Sequence, residues 1–199
     1  MADLAFDEAK HEYRLDGRVV PSVTQILKPL YDFSRIAPEV LERKRNLGTA
    51  VHKAIELDVA DDLDHASLSE AVLPYFQAWQ QFNADFAPRN AQSEVRVYSK
   101  HGYAGTCDLV CEQRDEVWVL DFKTSAEVGA ATALQTAAYS QAVKETWRPN
   151  DDLQHLFRRG AVHLKPDGTY KLHTYNDRTD WPTFLACLTL HNWRMNNGL

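Results

Sequence analysis

The chain has 199 residues, 44% hydrophobic and 25% charged, which suits one domain that buries its own core without disulfide staples. A net charge of −6 argues against a protein that coats nucleic acid non-specifically, yet leaves room for one that holds a strand in a local groove. No apolar run approaches a membrane span and the charged start Met1-Ala2-Asp3 lacks signal-peptide features, so a cytoplasmic protein with no membrane partner is expected.

In chain order, His11–Leu15 and Arg18–Val20 flank the turn dipeptide Asp16-Gly17 and read as a hairpin. Pro21 ends the second strand, and Ser22 can cap a short helix through Leu27. The aromatics Tyr31, Phe33 and Tyr103 could stack on unpaired bases, although core packing is the commoner role for such residues. From Pro38 to Asp58, the spacing of Val40, Leu41, Leu47, Val51 and Ile55 predicts a long amphipathic helix, loosened at Gly48.

On that helix His52 and Glu56 lie four apart and share a face, so one imidazole and one carboxylate could reach a metal. Taken alone the pair carries little weight, since solvated helical histidines are common. Arg43-Lys44-Arg45 and Lys53 form a basic cluster one to three turns from His52, where Arg43, Arg45 and Lys53 could grip phosphates; such clusters are more often solvated faces. Arg158-Arg159 form a second basic group. A further helix is expected from Ser69 to Phe86, with Leu73, Phe76, Trp79, Phe82 and Phe86 on one side.

Three strands follow, roughly Ser93–Ser99, Thr106–Glu112 and Val117–Lys123. Cys107 and Cys111 lie on the second, and with Cys187 they are too few and scattered for a zinc ribbon or a four-thiolate cluster. They read as buried thiols in a reducing compartment. The run Val117–Lys123 is β-branched and aromatic, which places Asp121 and Lys123 on one face and Trp118, Leu120 and Phe122 on the other. If the polar loop Gln113–Glu116 is centred between Arg114 and Asp115, Cys111 faces Trp118, Val110 faces Val119, and Asp108 comes opposite Asp121. Facing residues stand about 4.5–5.5 Å apart at Cβ, close enough for two carboxylates to share a cation.

Two acids and an amine so placed can hold a hard divalent cation, polarise a phosphoryl group, and orient or deprotonate a water. The bland alternatives are a turn aspartate at position 108 and an edge ion pair between Asp121 and Lys123. Ala130–Thr146 predicts a helix stopped by Trp147-Arg148-Pro149-Asn150, and on it Gln135 and Tyr139 share a face without any chemical signal of their own. Ala161–Lys165 and Thr169–Tyr175 flank Pro166-Asp167-Gly168 as a hairpin, and a last helix runs from Asp180 to near Asn196. This order of elements predicts a mixed α/β (α+β) core, helices on both faces of a sheet. It forms one domain over 1–199, divided into an N-terminal hairpin and short helix (1–36), a core (37–146) and a C-terminal hairpin and helix (147–199).

Gly48-x-x-x-His52-x-x-x-Glu56, Gly105-x-x-Asp108, Asp121-x-Lys123-Thr124 and Gln135-x-x-x-Tyr139 together resemble the RecB-like branch of the PD-(D/E)xK nuclease superfamily. The segment from Tyr13 to Leu27 is similar to the start of phage-type exonucleases of that branch. The resemblance implies a restriction-endonuclease-like core, a central mixed β-sheet flanked by helices. It implies magnesium or manganese held by His52, Asp108, Asp121 and the Phe122 carbonyl, with Lys123 as catalytic lysine and Gln135 and Tyr139 positioning substrate and lysine. Glu94 matches an accessory acidic position, and Glu56 is a second candidate. An iron–sulfur cluster, which some members carry, is not expected, because its cysteines are missing. The implied activity is DNA cleavage to 5′-phosphate and 3′-hydroxyl ends by a stand-alone exonuclease of phage or mobile-element kind, acting in a bacterial or phage-infected cell beside a strand-annealing or recombination protein. The alternatives are an endonuclease of the same superfamily or a non-catalytic DNA-binding accessory protein on the same fold. A glycosidase fits poorly, since its paired acids do not need an adjacent lysine.

Overall fold

The computed structural model describes residues 3–34, 36–146 and 156–199. The expected helix stop at Trp147–Asn150 lies outside them. A small antiparallel sheet, β1 (Leu4–Asp7), β2 (Glu12–Leu15) and β3 (Arg18–Val20), precedes α1 (Val23–Leu27). The β2–β3 turn is as expected, with Asp16 and Gly17 both at positive φ. Strand β1 was not foreseen; its four residues pair in register with β2, Leu4 against Leu15 and Asp7 against Glu12. Ser22 caps α1 in a full capping box, accepting from Gln25 N while the Gln25 side chain takes the Ser22 N–H.

Helix α2 (Pro38–Val59) runs unbroken through Gly48. Helix α3 starts at Leu73, four residues later than its apolar spacing suggests, and ends at Phe86. Trp79 ties the two together, its indole N–H donating to Asp58 Oδ2 at 2.6 Å. The main sheet has the order β4 (Arg89–Ser99), β5 (Tyr103–Gln113), β6 (Glu116–Lys123), β7 (Leu156–Leu164), β8 (Tyr170–Thr174). All pairs are antiparallel except β6 with β7, which are joined through α4 (Ala131–Thr146) as a parallel crossover. Helix α5 (Asp180–Asn196) closes the described chain.

Two apolar layers sandwich this sheet. On one face Val51 and Ile55 of α2 and Phe76, Trp79 and Phe82 of α3 pack on Trp118, Leu120 and Phe122. On the other, Ala138, Ala142 and Val143 of α4, with α1 and Phe184 and Leu188 of α5, cover Val97, Val110, Val117 and Val119. Each large buried side chain contributes about 1.5–3 kcal/mol by leaving water, so both layers hold the sheet firmly. Tyr103 is wholly buried against Phe184 and donates its hydroxyl proton to Ala138 O at 2.9 Å, so it is a core residue and not a base-stacking surface. Cys107 and Cys111 are buried free thiols, pushed up in pKa by burial, in keeping with their inert role.

Candidate active site

The β5–β6 hairpin forms in the expected register, with Cys111 opposite Trp118 and Val110 opposite Val119. The ladder stops at Leu109 and Leu120, one residue short of the acids. There the strands part: β5 continues against β4, and β6 continues against β7 to Lys123. Asp108 therefore does not simply face Asp121. Its Oδ2 accepts the Phe122 backbone N–H at 2.6 Å, which fills the donor that the ended ladder leaves free.

A second irregularity lies beside it. Glu94 falls level with Asp108, between the pairs Val95–Cys107 and Ser93–Leu109, at a position the ladder skips, and it has φ +50°, rare for a non-glycine residue in a strand. Strand alternation breaks at this point. Val95 and Val97 pack in the α4-side layer, but Ala91 packs in the α2-side layer; likewise Cys107 lies on the α4 side and Leu109 on the α2 side. The local switch of faces frees both carboxylates from the two cores. His52 arrives from α2, which approaches closely at Gly48, where an added Cβ would stand 3.4 Å from Thr124 Oγ1. The His52 Nε2–H donates to Phe122 O at 3.2 Å, leaving Nδ1 facing Asp108 Oδ1 at 3.6 Å.

His52, Glu94 and Asp108 thus offer one nitrogen and two carboxylate ligands, all within 4.8 Å of one another. Burial and the nearby Asp108 carboxylate push Glu94 up to about 7, so the cluster carries more negative charge than its surroundings compensate. A donor set of this kind fits a divalent cation. Glu56 is not in the group; its carboxylate takes Lys53 Nζ at 2.8 Å. Arg43 and Arg45 are exposed on α2.

On the α4 side of the same strand end, Lys123 Nζ lies 2.7 Å from Asp121 Oδ2 and donates to Gln135 Oε1 at 3.1 Å. Gln135 Nε2 in turn donates to Tyr139 Oη at 3.4 Å. Burial raises the Asp121 carboxyl, and Lys123 partly offsets this. Burial pulls Lys123 down, but Asp121 and Asp108 more than reverse it, so the side chain is held as an ammonium. Gly105 makes room for the chain, since a Cβ there would come within 2.6 Å of Tyr139 Cε1. The structure thus joins the four residues Asp121, Lys123, Gln135 and Tyr139 into one line. It also sets Tyr31, stacked on Phe33 with centroids 5.8 Å apart, where its hydroxyl feels both Lys123 and Asp121.

The model of one protein family, described as the PD-(D/E)XK nuclease superfamily, matches residues 60–184, which include Glu94, Asp108, Asp121, Lys123, Gln135 and Tyr139. The chain belongs to the PD-(D/E)XK nuclease superfamily. Its mixed sheet flanked by helices is the restriction-endonuclease-like core of that superfamily. Members use divalent metals, and the His52, Glu94 and Asp108 cluster suits one. No curated protein sequence matches the chain. Among solved structures it is similar to SSO0001, at 15% identity and a TM-score of 0.38 over 75% of this chain and 71% of the other. It is also similar to a protein from Eubacterium rectale named as a candidate exonuclease, at 12% identity and a TM-score of 0.43, covering 77% of this chain and 65% of the other. Likenesses of that size carry no functional argument. Among the described residues, no helix is long and apolar enough to cross a membrane.

Glu94, an accessory position in the sequence, stands in the structure beside His52 and Asp108. A signal for it existed: the three-residue turn Lys100–Gly102, with Gly102 at φ +82°, sets Ser99 against Tyr103 and hence Glu94 against Asp108.

Proposed function

We propose that this nuclease is a magnesium- or manganese-dependent DNA exonuclease that leaves 5′-phosphate and 3′-hydroxyl ends. In this reading it works in the cytoplasm on phage or mobile-element DNA during recombination or repair, with a strand-annealing protein as companion. The observation that carries the reading is the meeting, at one strand end, of an undercompensated His52–Glu94–Asp108 cluster with the Asp121–Lys123–Gln135–Tyr139 line.

His52, Glu94 and Asp108 would hold the divalent cation, with Asp121, which feels both Asp108 and His52, completing the set. When bound, the cation polarises the phosphoryl group and acidifies water, and the nitrogen of His52 extends tolerance toward manganese. Hydrolysis forms a bond from water oxygen to phosphorus and breaks the bond from phosphorus to O3′, while one water proton ends on the leaving O3′. Lys123 supports this as a cation: Asp121 keeps it charged, and its ammonium offsets negative charge building on the phosphoryl oxygens. Gln135 fixes the direction of that ammonium, and Tyr139 fixes Gln135. Asp108 holds the Phe122 N–H and so keeps the start of the Asp121–Lys123 segment in place. Arg43, Arg45 and Lys53 supply phosphate contacts along the exposed side of α2.

Digestion of end-labelled single-stranded, blunt duplex and closed circular DNA with each metal tests the reading. Metal-dependent release of nucleotides from linear ends, with circles spared, is the expected result. Cutting of circles as fast as linear DNA would replace it with an endonuclease, and absence of cleavage with every substrate would leave the DNA-binding accessory protein.

A further inference from the structure

We propose that β7 and β8 carry a phosphate track that leads one polynucleotide strand across the sheet from the active site, with Lys171 and Lys165 as its cations and His163 and His173 beside them. This rests on the nuclease reading above and extends it to how the substrate is held.

Lys123 on β6 pairs with His163 on β7, and His163 pairs with Lys171 on β8. Residues paired across neighbouring strands point to the same face, so these three side chains form one row. One step inward, Asp121, Ala161 and His173 form the parallel row. At about 4.8 Å per strand, Lys171 stands about 10 Å from Lys123, a span matched by roughly three charges of a stacked strand at 3.4 Å each. The row therefore starts at the lysine assigned to the reacting phosphate and runs outward to the edge of the sheet.

The chemistry along the row is uniformly cationic or neutral. The His163 Nε2–H donates to Ser125 O at 2.7 Å, which ties β7 to the segment that leaves Lys123. Its ring lies 6.1 Å from that of His173. His173 Nε2 is buried and has no hydrogen-bond partner. Burial, then Lys171, His163 and Lys165, all disfavour charge on His173, so these three groups lie within electrostatic reach of it. Lys171 is exposed, and neither it nor Lys165 has an ion-pair partner among the described residues. Asp167, in the turn between the strands, feels Lys165 but is engaged by the backbone N–H and hydroxyl of Thr169.

The contrast with the other basic pair is informative. Arg158 is committed to Glu116 and Arg159 to Asp180, so the arginines that stand out in the sequence are internal braces. Positive groups that form no ion pair among the described residues are suited to an anion from outside. A polynucleotide strand already bound at Lys123 supplies that anion in the right direction.

Binding of a fluorescently labelled single-stranded oligonucleotide to the full chain, with calcium in place of the catalytic metal, tests the track through its salt dependence. The Lys165→Ala/Lys171→Ala variant should lower the slope of log affinity against log salt by about 0.7 for each lysine, and weaken binding about tenfold at moderate salt. Lys171→Arg should keep the wild-type slope, and Lys10→Ala, in the distant β1–β2 turn, should do the same. An unchanged slope in the double variant of a protein that cleaves DNA would overturn the track and leave the nuclease reading standing. A lysine-dependent slope in a protein that cleaves nothing would uphold the track and overturn the nuclease reading.

Discussion

The two halves of the site, on either side of the β6 strand end, solve opposite electrostatic problems. On the α4 side the acid comes with its own cation, and Asp121, Lys123, Gln135 and Tyr139 form a line whose charges cancel within the protein. On the α2 side, Glu94 and Asp108 stand together beside His52, and burial with the Asp108 carboxylate holds the Glu94 proton up to about 7. The first half is finished by folding. The second gathers one nitrogen and two carboxylates, a donor set that suits a divalent cation.

The sharpest way to break this contrast is to remove one charge from each half. Asp108→Asn and Lys123→Ala should each lower metal-dependent kcat about 10³-fold, or about 4 kcal/mol of transition-state stabilisation. They should differ in metal affinity, measured by titration calorimetry: Asp108→Asn loses it and Lys123→Ala keeps it. Equal loss in both would show that the halves are one electrostatic unit.

A smaller effect is expected at Gly105. Gly105→Ala places a methyl 2.6 Å from Tyr139 Cε1, so either the ring or β5 must shift, at a cost of about 1–3 kcal/mol in urea unfolding. Activity should fall with it, because Tyr139 anchors Gln135.

Next in size is the pH dependence of the metal-free protein. Glu94 rises from an ordinary 4.5 to about 7 in the fold, so the folded state binds the extra proton. Stability is then full below pH 4.5 and falls as pH rises toward 7, by about 1–2 kcal/mol once solvent screening of this partly exposed group is allowed for. Thermal melts across that window should show the fall in wild type, its absence in Glu94→Gln, and its reversal by manganese. A wild-type melting temperature flat from pH 4.5 to 7 would contradict the account of an uncompensated cluster. The smallest effect belongs to Tyr139→Phe. The 3.4 Å contact to Gln135 is long, and its loss should lower kcat only a few-fold, below about 1 kcal/mol, with stability little changed.

Much of the α4-side half was legible in the sequence because it obeys strict periodicities. Alternation along Val117–Lys123 puts Asp121 and Lys123 on one face, and four-residue helical spacing puts Gln135 with Tyr139. The α2-side half was less legible. Extending the hairpin register set Asp108 opposite Asp121, but the ladder ends at Leu109 and Leu120 and Asp108 turns to the Phe122 N–H. Glu94 sits at a left-handed residue where β4 changes faces, which no alternation rule anticipates. Strand β1 and the start of β7 at Leu156 are hidden for another reason: Leu4–Asp7 is short and ordinary in composition, and Leu156–Gly160 carries two arginines that pair with Glu116 and Asp180 only in the fold.

By itself the sequence determined the periodic elements, the hairpin register and the superfamily motifs, because these depend on neighbours close along the chain. Only the tertiary structure decided which carboxylates stand together beside His52. That choice depends on where two strands part, on a backbone reversal at Glu94, and on a helix brought in at Gly48. Such features arise from packing between distant segments, and local pattern does not encode them.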